Sequence, residues 1–371
     1  MPALLLSPPE RRFSHPSSNR QEEARRATSD TNGQAASPLA NAARDLSTPL
    51  CLTPGMASWQ YGILALLCAA CASGPAERSD TPDATSPCTG KPGRLRGKST
   101  HTLSAGGLAR SFVYYAPSGL DADTPAPVVI VAHGFGMDAD QMFELTGYPA
   151  LADRERFVLL FPNGQEPMAP WNVGDPDCIT PMGPLPLARG DDDSFLDAML
   201  EFAANDQCLD REHVFMTGFS MGAYFTNEVG CTRSDIRAIS PQAGGSHDLS
   251  KCPVQRKPVL VVHFEDDSLV PYRCGTQTRD RWLQQSGCSA SDPQVRNVQG
   301  GRCEYYRGCE PDGQVGMCSF QTPDGERTER SFGHAWAGGS KSGDAGGGAY
   351  AIPETASATE LSWEFFKTYA W

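Results

Sequence analysis

The sequence lacks several features that would place it in common classes of protein. Its 371 residues carry a formal net charge of −13, so the basic surface typical of proteins that bind nucleic acid or anionic lipid is absent. No C-x-x-C occurs from Cys88 onward, which disfavours a zinc ribbon. The apolar run from Tyr61 to Ala72 is too short to span a bilayer comfortably. No internal repeat is present, and the length suits one large domain or two ordinary ones.

Cysteine, by contrast, is abundant. The chain has thirteen, and ten of them lie from Cys88 onward, an even number that is typical of disulfides formed in an oxidising compartment. Three of these fall between Cys303 and Cys318, shortly before the glycine-flanked His334. Such a cluster holds a metal, forms disulfides or serves redox chemistry, and the missing C-x-x-C favours disulfides.

The N-terminal part of the chain is predicted to lie outside the folded domain. Residues 1–55 are rich in Pro, Ser, Ala and Arg, which indicates disorder or an over-extended start upstream of Met56. Residues 56–72 are predicted to be a signal peptide whose apolar run ends near Cys71. This ending resembles a bacterial lipoprotein signal with a lipidated Cys71, and the alternative is an ordinary cleaved signal. Residues 73–96 are predicted to be a flexible linker.

The remaining residues, 97–371, are predicted to form one α/β domain. Short apolar segments rich in β-formers alternate there with segments of helical character, a pattern typical of a mostly parallel central sheet with helices on both faces. The predicted strands are 110–116, 127–134, 156–162, 213–220 and 258–264, and the predicted helices are 192–206, 220–230 and the C-terminal segment.

The strongest chemical signal is a G-x-S-x-G motif centred on Ser220. Gly218 and Gly222 flank it, and it lies between an apolar strand and a helix, where a sharp turn projects the serine hydroxyl above the sheet. We predict that Ser220 is the nucleophile of an acyl-transfer enzyme. The alternative is a serine that merely caps the helix.

A serine nucleophile needs a base, and the base needs an orienting acid. In the α/β-hydrolase order the acid and then the histidine follow the serine. His334, in a glycine-rich loop before the last helix, is the predicted base, because His247 comes too early and His263 lies at the end of a strand. The acid is expected on the loop after that strand, among Glu265, Asp266 and Asp267, which residue chemistry alone does not separate.

The oxyanion formed during acyl transfer requires backbone N–H donors at preset positions. One is predicted to be the N–H of Met221, the residue after the nucleophile. The other is predicted to be the N–H of Phe135, which follows the end of an earlier strand. His133 in that segment is expected to brace the loop rather than to act as a base.

These motifs resemble the secreted esterases of the polyhydroxybutyrate depolymerase and feruloyl esterase family, which includes some acetylxylan esterases. The matching segments occur in family order between about residues 97 and 370, nearly the whole globular part. They are HGFG (133–136), FPNG (161–164), WN (171–172), DDDSFLDAML (191–200), CLDREHVFMTGFSMGAYFTNEVGC (208–231), DDSLVPY (266–272) and GHAW (333–336).

The resemblance implies roles that the residues alone leave open. The spacing of the family's acid loop selects Asp267, with Asp266 as the alternative. The family's histidine motif has proline where this chain has Ala337, so the sequence of the neighbouring loop departs from the family pattern. Feruloyl-esterase-like members use the clustered cysteines as disulfides, which implies that Cys303 pairs with Cys309 or Cys318.

The site and the resemblance together predict a secreted serine carboxylic ester hydrolase that needs no metal or organic cofactor. Its expected substrates are feruloyl or acetyl esters of plant cell-wall polysaccharide, with Trp171 and Trp336 lining the site or else packing under loops. The alternatives are a polyhydroxyalkanoate depolymerase or general short-chain esterase, and a non-catalytic surface binding module. We expect a monomer that binds no nucleic acid and contacts a membrane only through a lipid on Cys71.

Overall fold

The computed structural model describes residues 88–165, 168–178, 183, 190–254, 256–325 and 333–371. The predicted disordered start (1–55), the signal segment (56–72) with Cys71, and most of the predicted linker lie outside the described residues. None of the helices within the described residues is both long and apolar enough to cross a membrane.

The described residues form twelve strands, six α-helices and two short 3₁₀ turns. The strands are β1 Gly97–Ala105, β2 Leu108–Ala116, β3 Ala126–Ala132, β4 Val158–Pro162, β5 Leu209–Phe219, β6 Ala238–Gln242, β7 Val259–Phe264, β8 Ser289–Val298, β9 Gly301–Arg307, β10 Val315–Phe320, β11 Trp336–Ala337 and β12 Ala351–Ile352. The helices are α1 Ala139–Leu145, α2 Tyr148–Glu155, α3 Asp192–Asp206, α4 Met221–Thr232, α5 Tyr272–Gln285 and α6 Ala358–Tyr369. The 3₁₀ turns are Leu249–Lys251 and Gly347–Tyr350.

Ten of the described strands form one sheet in the order β1-β2-β4-β3-β5-β6-β7-β10-β9-β8. Strands β4, β3, β5, β6, β7 and β10 are parallel to one another, and the strands at both edges are antiparallel. The remaining strands, β11 and β12, form a separate parallel pair. The predicted mostly parallel sheet is therefore confirmed, and the predicted helix 192–206 coincides with α3.

The sheet is covered on both faces because alternate residues of each strand point to opposite sides. In β3, Val128 and Ile130 pack with α3 and α4, whereas Val129 and Val131 pack with α1, α2 and α6. Every residue of β3 is buried. This arrangement explains why the parallel strands are continuous apolar runs, and it confirms the predicted α/β-hydrolase architecture.

The described end of the predicted linker is attached to the domain. Cys88 forms a disulfide with Cys208, and the backbone N–H of Gly93 donates a 2.7 Å hydrogen bond to the carbonyl oxygen of Asp206. The carboxylate of Asp206 also accepts from the N–H groups of Arg94 and Leu95. Residues 88–96 are therefore fixed on the end of α3, and the folded domain begins before residue 97.

The ten cysteines from Cys88 onward form five disulfides, as their even number predicts. Of the two partners implied for Cys303, the structure pairs it with Cys318, which lies directly opposite it on the neighbouring antiparallel strand. The pairs are Cys88–Cys208, Cys178–Cys274, Cys231–Cys252, Cys288–Cys309 and Cys303–Cys318.

Candidate active site

Ser220 lies on a sharp turn between the central strand β5 and helix α4. Its backbone has φ 56° and ψ −118°, a conformation that residues with a side chain rarely adopt. The Ser220 N–H donates to the carbonyl oxygen of Gln242 at 2.9 Å, which fixes the turn against the end of β6. Ser220 remains partly exposed at the carboxyl end of the sheet. This is the strained strand-to-helix turn that the G-x-S-x-G motif predicts.

Both glycines of the motif are required by close packing. A Cβ atom on Gly218 would lie 2.3 Å from the carbonyl oxygen of Gly222. A Cβ atom on Gly222 would lie 2.4 Å from the carbonyl oxygen of Ala132, at the end of β3. Since real Cβ atoms do not approach backbone oxygens so closely, any larger residue would force the turn apart.

His334 and Asp267 meet at the same end of the sheet although 67 residues separate them in the chain. The Nδ1 atom of His334 is 2.7 Å from Oδ2 of Asp267, and both side chains are buried. The imidazole packs on the ring of Phe219, the residue before Ser220, with 4.7 Å between ring centroids. Its buried Nε2 has no hydrogen-bond partner among the described residues. A general base must keep this nitrogen free for the serine proton.

The surroundings of Asp267 keep its carboxylate ionised. Oδ1 accepts hydrogen bonds from the backbone N–H groups of Leu269 at 2.9 Å and Val270 at 2.8 Å. Burial by itself raises the pKa of Asp267, but the positive charge of a protonated His334 and hydrogen bonds from His263 and His334 outweigh it. The net pKa of Asp267 is well below its ordinary range. Asp267 can therefore orient the imidazole and stabilise its positive charge.

The neighbouring acidic residues are engaged elsewhere. Oδ1 of Asp266 accepts hydrogen bonds from the backbone N–H and the hydroxyl of Thr322, at 3.2 and 3.0 Å. Oε2 of Glu265 accepts from the side-chain amide of Gln321. Of the three candidates, only Asp267 has a described hydrogen bond to His334. This geometry favours the acid that the family spacing selects.

His263 supports the acid loop. Its Nε2 atom lies 2.8 Å from the carbonyl oxygen of Val270 and 3.3 Å from Oδ2 of Asp267. The imidazole therefore joins the two ends of the turn that carries the acid. Its position at the end of β7, rather than any motif, determines this role. The remaining candidate, His247, lies 3.1 Å from Glu228 and has no described contact with the three site residues.

His133 braces the loop that carries the second predicted oxyanion donor. Its Nδ1 lies 2.8 Å from the carbonyl oxygen of Gly134, and its Nε2 accepts a 2.8 Å hydrogen bond from the N–H of Gly164. Accepting at Nε2 and donating from Nδ1 requires the neutral imidazole. Burial lowers the pKa of His133 to about 4, which maintains this neutral form. His133 therefore braces the loop, as predicted.

The bracing determines where the Phe135 N–H points. In a trans peptide the carbonyl of one residue and the N–H of the next point in opposite directions. The Gly134 carbonyl is held by His133 and by the Met137 N–H at 3.1 Å, so the Phe135 N–H points away from them. Neither Phe135 nor Met221 donates its backbone N–H to an acceptor within the described part of the chain. These two N–H groups remain candidates for an oxyanion hole.

The loop that carries Gly134 and Phe135 also lies directly against Ser220. A Cβ atom on Gly134 would be 3.2 Å from the Cβ of Ser220. Any side chain at this position would crowd the nucleophile, which is a physical reason for glycine here.

The two tryptophans that were expected to line the site are fully buried. Trp171 stacks on Phe225 with ring centroids 4.8 Å apart and donates from Nε1 to the carbonyl oxygen of His133 at 2.9 Å. Trp336 donates from Nε1 to the hydroxyl of Thr359 at 3.1 Å. Because each ring is enclosed by the core, the structure favours the alternative expectation, that both tryptophans pack inside the protein rather than line the site. Trp171 instead holds the backbone at His133 through its Nε1 hydrogen bond, a role that no sequence motif indicated.

The sheet, the serine turn and the buried Asp–His pair together define an α/β-hydrolase fold with a candidate serine hydrolase site. No protein-family model matches the chain. Curated proteins do match it. Feruloyl esterase D of Neurospora crassa is 25% identical over 237 residues, which are 60% of this chain and 76% of that protein. Feruloyl esterase B of Piromyces equi is 27% identical over 236 residues, which are 57% of this chain and 41% of that protein.

These relatives are carboxylic ester hydrolases, and they confirm the resemblance to the feruloyl esterase family that the motifs indicate. Among solved structures, an acetyl xylan esterase from Aspergillus awamori aligns with a TM-score of 0.47 and 16% identity. The alignment covers 64% of this chain and all of that one.

Proposed function

We propose that this protein is a secreted serine carboxylic ester hydrolase that acts on feruloyl or acetyl esters of plant cell-wall polysaccharide. The observation that carries the proposal is the 2.7 Å contact between His334 and Asp267 beside the strained turn of Ser220. The Nε2 atom of His334 and the N–H groups of Phe135 and Met221, which have no hydrogen-bond partner among the described residues, would supply the other parts that acyl transfer needs.

The proposed reaction runs in two halves. Ser220 Oγ attacks the ester carbonyl carbon while His334 Nε2 accepts the hydroxyl proton. The protonated imidazole then gives that proton to the leaving alcohol as the ester C–O bond breaks, and an acyl-Ser220 ester remains. In the second half His334 deprotonates a water that attacks the acyl carbon. The carboxylic acid leaves, and the proton returns to Ser220.

The carboxylate of Asp267 contributes without changing its protonation state. It holds the His334 ring through Nδ1, so that Nε2 is the atom that exchanges protons. Its lowered pKa keeps it charged while His334 accepts and releases the proton during turnover.

The N–H groups of Phe135 and Met221 would stabilise the negative oxygen of each tetrahedral intermediate. Both belong to backbone that is fixed before the substrate arrives, by His133 at one site and by the first turn of α4 at the other. Donors that need no reorganisation during the reaction give the largest electrostatic benefit.

The substrate class is inferred from the relatives. The curated relatives named above are feruloyl esterases, and the sequence motifs resemble a family that also contains acetylxylan esterases. A polyhydroxyalkanoate depolymerase or a general short-chain esterase is the second candidate, since the same three side chains would serve any accessible carboxylic ester.

The proposed cellular location rests on the disulfide bonds. Five disulfides persist only in an oxidising compartment, so we propose that the protein acts outside the cytoplasm. Attachment to the cell envelope through a lipid on Cys71, and a monomeric state, remain predictions from the sequence.

A substrate panel tests the proposed function. Methyl ferulate, acetylated xylan, short-chain nitrophenyl esters and polyhydroxybutyrate film are incubated with the wild-type protein and with Ser220→Ala. We expect release of ferulate or acetate by the wild type, none by the variant and no clearing of the film. Film clearing without release of ferulate or acetate would favour the depolymerase, and full activity of Ser220→Ala would refute the mechanism.

A further inference from the structure

Tyr350 is the half-buried aromatic side chain in contact with the proposed catalytic base. Its ring lies edge-to-face with the His334 imidazole, with centroids 6.3 Å apart and an angle of 87° between the planes. The same ring is 5.6 Å from that of Phe219, which precedes the nucleophile. Phe219 and His334 are buried, whereas Tyr350 keeps part of its surface exposed. A partly exposed aromatic ring therefore lies beside His334 and Phe219.

The backbone around Tyr350 is built to hold it there. Strand β12 begins at the next residue and pairs in parallel with β11, with Ala351 opposite Trp336. Because Trp336 is only two residues from His334, this pairing couples the position of the tyrosine to that of the base. The β11–β12 pair is separate from the ten-stranded sheet, and its four residues are buried in the core, which fixes the backbone next to Tyr350.

The segment between these two strands, residues 338–350, is also anchored on α1, the helix that follows the loop of Gly134 and Phe135. The N–H of Ser340 donates to the carbonyl oxygen of Leu145 at 2.8 Å, and the N–H of Ala345 donates to Oε2 of Glu144 at 2.7 Å. The chain therefore runs from His334 over α1 and returns to His334 at Tyr350. Hydrogen bonds to α1 hold the segment before Tyr350, and the β11–β12 pairing holds the residue after it.

The reaction determines which part of a substrate meets this ring. His334 must give its proton to the oxygen of the leaving alcohol, so the alcohol lies on the imidazole side of the scissile bond. We propose that Tyr350 is a specificity-determining residue that stacks against the sugar ring of the alcohol half of the substrate. A tyrosine offers an apolar ring face to the C–H groups of a sugar and a hydroxyl to its oxygens. This inference rests on the proposed ester hydrolysis and names the half of the substrate that the residue recognises.

The test compares esters that share an acyl group and differ in the alcohol. A feruloylated arabinoxylan oligosaccharide is compared with methyl ferulate, and an acetylated xylo-oligosaccharide with nitrophenyl acetate. For Tyr350→Ala we expect kcat/KM on each oligosaccharide ester to fall roughly tenfold more than on the simple ester with the same acyl group. Tyr350→Phe keeps the ring face and should retain most of the oligosaccharide activity.

The outcomes separate this inference from its alternatives. Equal losses on the oligosaccharide and simple esters would show that Tyr350 positions His334 and would overturn the proposal, as would unchanged activity on the oligosaccharides. Tyr350→Leu, which preserves bulk without an aromatic face, should show the same selective loss if the alanine variant fails to fold. If the wild type hydrolyses neither feruloyl nor acetyl esters, the proposed function itself fails. If the wild type hydrolyses only acetyl esters, the comparison of acetylated xylo-oligosaccharide with nitrophenyl acetate still tests the role of Tyr350.

Discussion

His334 donates a hydrogen bond from Nδ1 to Oδ2 of Asp267, whereas the carboxylate of the adjacent Asp266 accepts hydrogen bonds from Thr322. Two residues with the same side chain, next to each other in the chain, thus have different partners. One orients an imidazole, and the other attaches the acid loop to the segment that follows β10.

This difference predicts opposite outcomes for two matched substitutions. Asp267→Asn should lower kcat by roughly 10³- to 10⁴-fold, because the amide no longer holds the imidazole in the required tautomer. Asp266→Asn preserves an oxygen that can accept from Thr322, so kcat should change by less than about threefold. Steady-state kinetics on a nitrophenyl ester measures both. A larger loss for the Asp266 variant would reassign the acid.

Trp171 should affect catalysis through the backbone it holds. Trp171→Phe removes the Nε1 hydrogen bond to the His133 carbonyl. The backbone that carries the Phe135 N–H, the predicted oxyanion donor, is then held less firmly. We expect kcat to fall about tenfold with little change in KM, because oxyanion donors act on the transition state.

Trp282→Phe is the control for Trp171. Trp282 is equally buried and donates from Nε1 to Oδ1 of Asn227 at 2.9 Å. Neither residue has a described hydrogen bond to the loop at 133–135. Both variants should lose stability, and only the Trp171 variant should lose kcat selectively. Equal kcat for the two variants would contradict the role given to Trp171.

The neutral state of His133 makes folding stability depend on pH. Burial lowers the pKa of His133 from 6.5 to about 4 in the folded state, so the unfolded chain binds more protons between these two values. The contribution to stability is therefore fully present above about pH 6.5 and is lost as the pH falls towards about 4. The expected loss is about 3 kcal/mol.

Urea unfolding of the wild type and of His133→Gln between pH 4 and pH 7 measures this effect. The difference in unfolding free energy between the two proteins should be largest at neutral pH and should shrink as the solution becomes acidic. A difference that is independent of pH would mean that His133 does not titrate as its burial indicates.

The Cys303–Cys318 disulfide lies close to the acid loop. Cys318 belongs to β10, whose last residue, Phe320, accepts a 2.8 Å hydrogen bond from the N–H of Glu265. Replacing both cysteines by alanine should lower the free energy of unfolding by roughly 3 kcal/mol and should also lower kcat.

The corresponding double substitution at Cys231 and Cys252 provides the comparison. This pair spans a loop of similar length, 21 rather than 15 residues, and its replacement should lower stability with little change in kcat.

Reducing agent should lower activity or thermal stability, and a chelator should have no effect. Inactivation by a chelator would restore the metal interpretation of the cysteine cluster.

Local sequence predicted the parts of this protein that local geometry determines. The turn at Ser220 requires glycine on both sides, and His334 lies in a loop between recognisable segments, so both were identified as candidates. Asp266 and Asp267 have the same side chain, and only the direction of each in the folded loop distinguishes them. The sequence left open whether Trp171 and Trp336 line the site or pack inside the protein, because exposure of an aromatic ring depends on what packs over it. Tyr350 was missed because its proximity to His334 arises from strand pairing after a glycine-rich segment.

The central claim is that Ser220 carries the acyl group during turnover, and rapid-quench peptide mass spectrometry tests it most directly. The wild type and Asp267→Asn, which slows both halves of the reaction, are mixed with nitrophenyl acetate and quenched in acid before digestion. We predict an acetyl group on the peptide that contains Ser220 and no such adduct in Ser220→Ala. An adduct on a different residue, or unchanged turnover by Ser220→Ala, would contradict it.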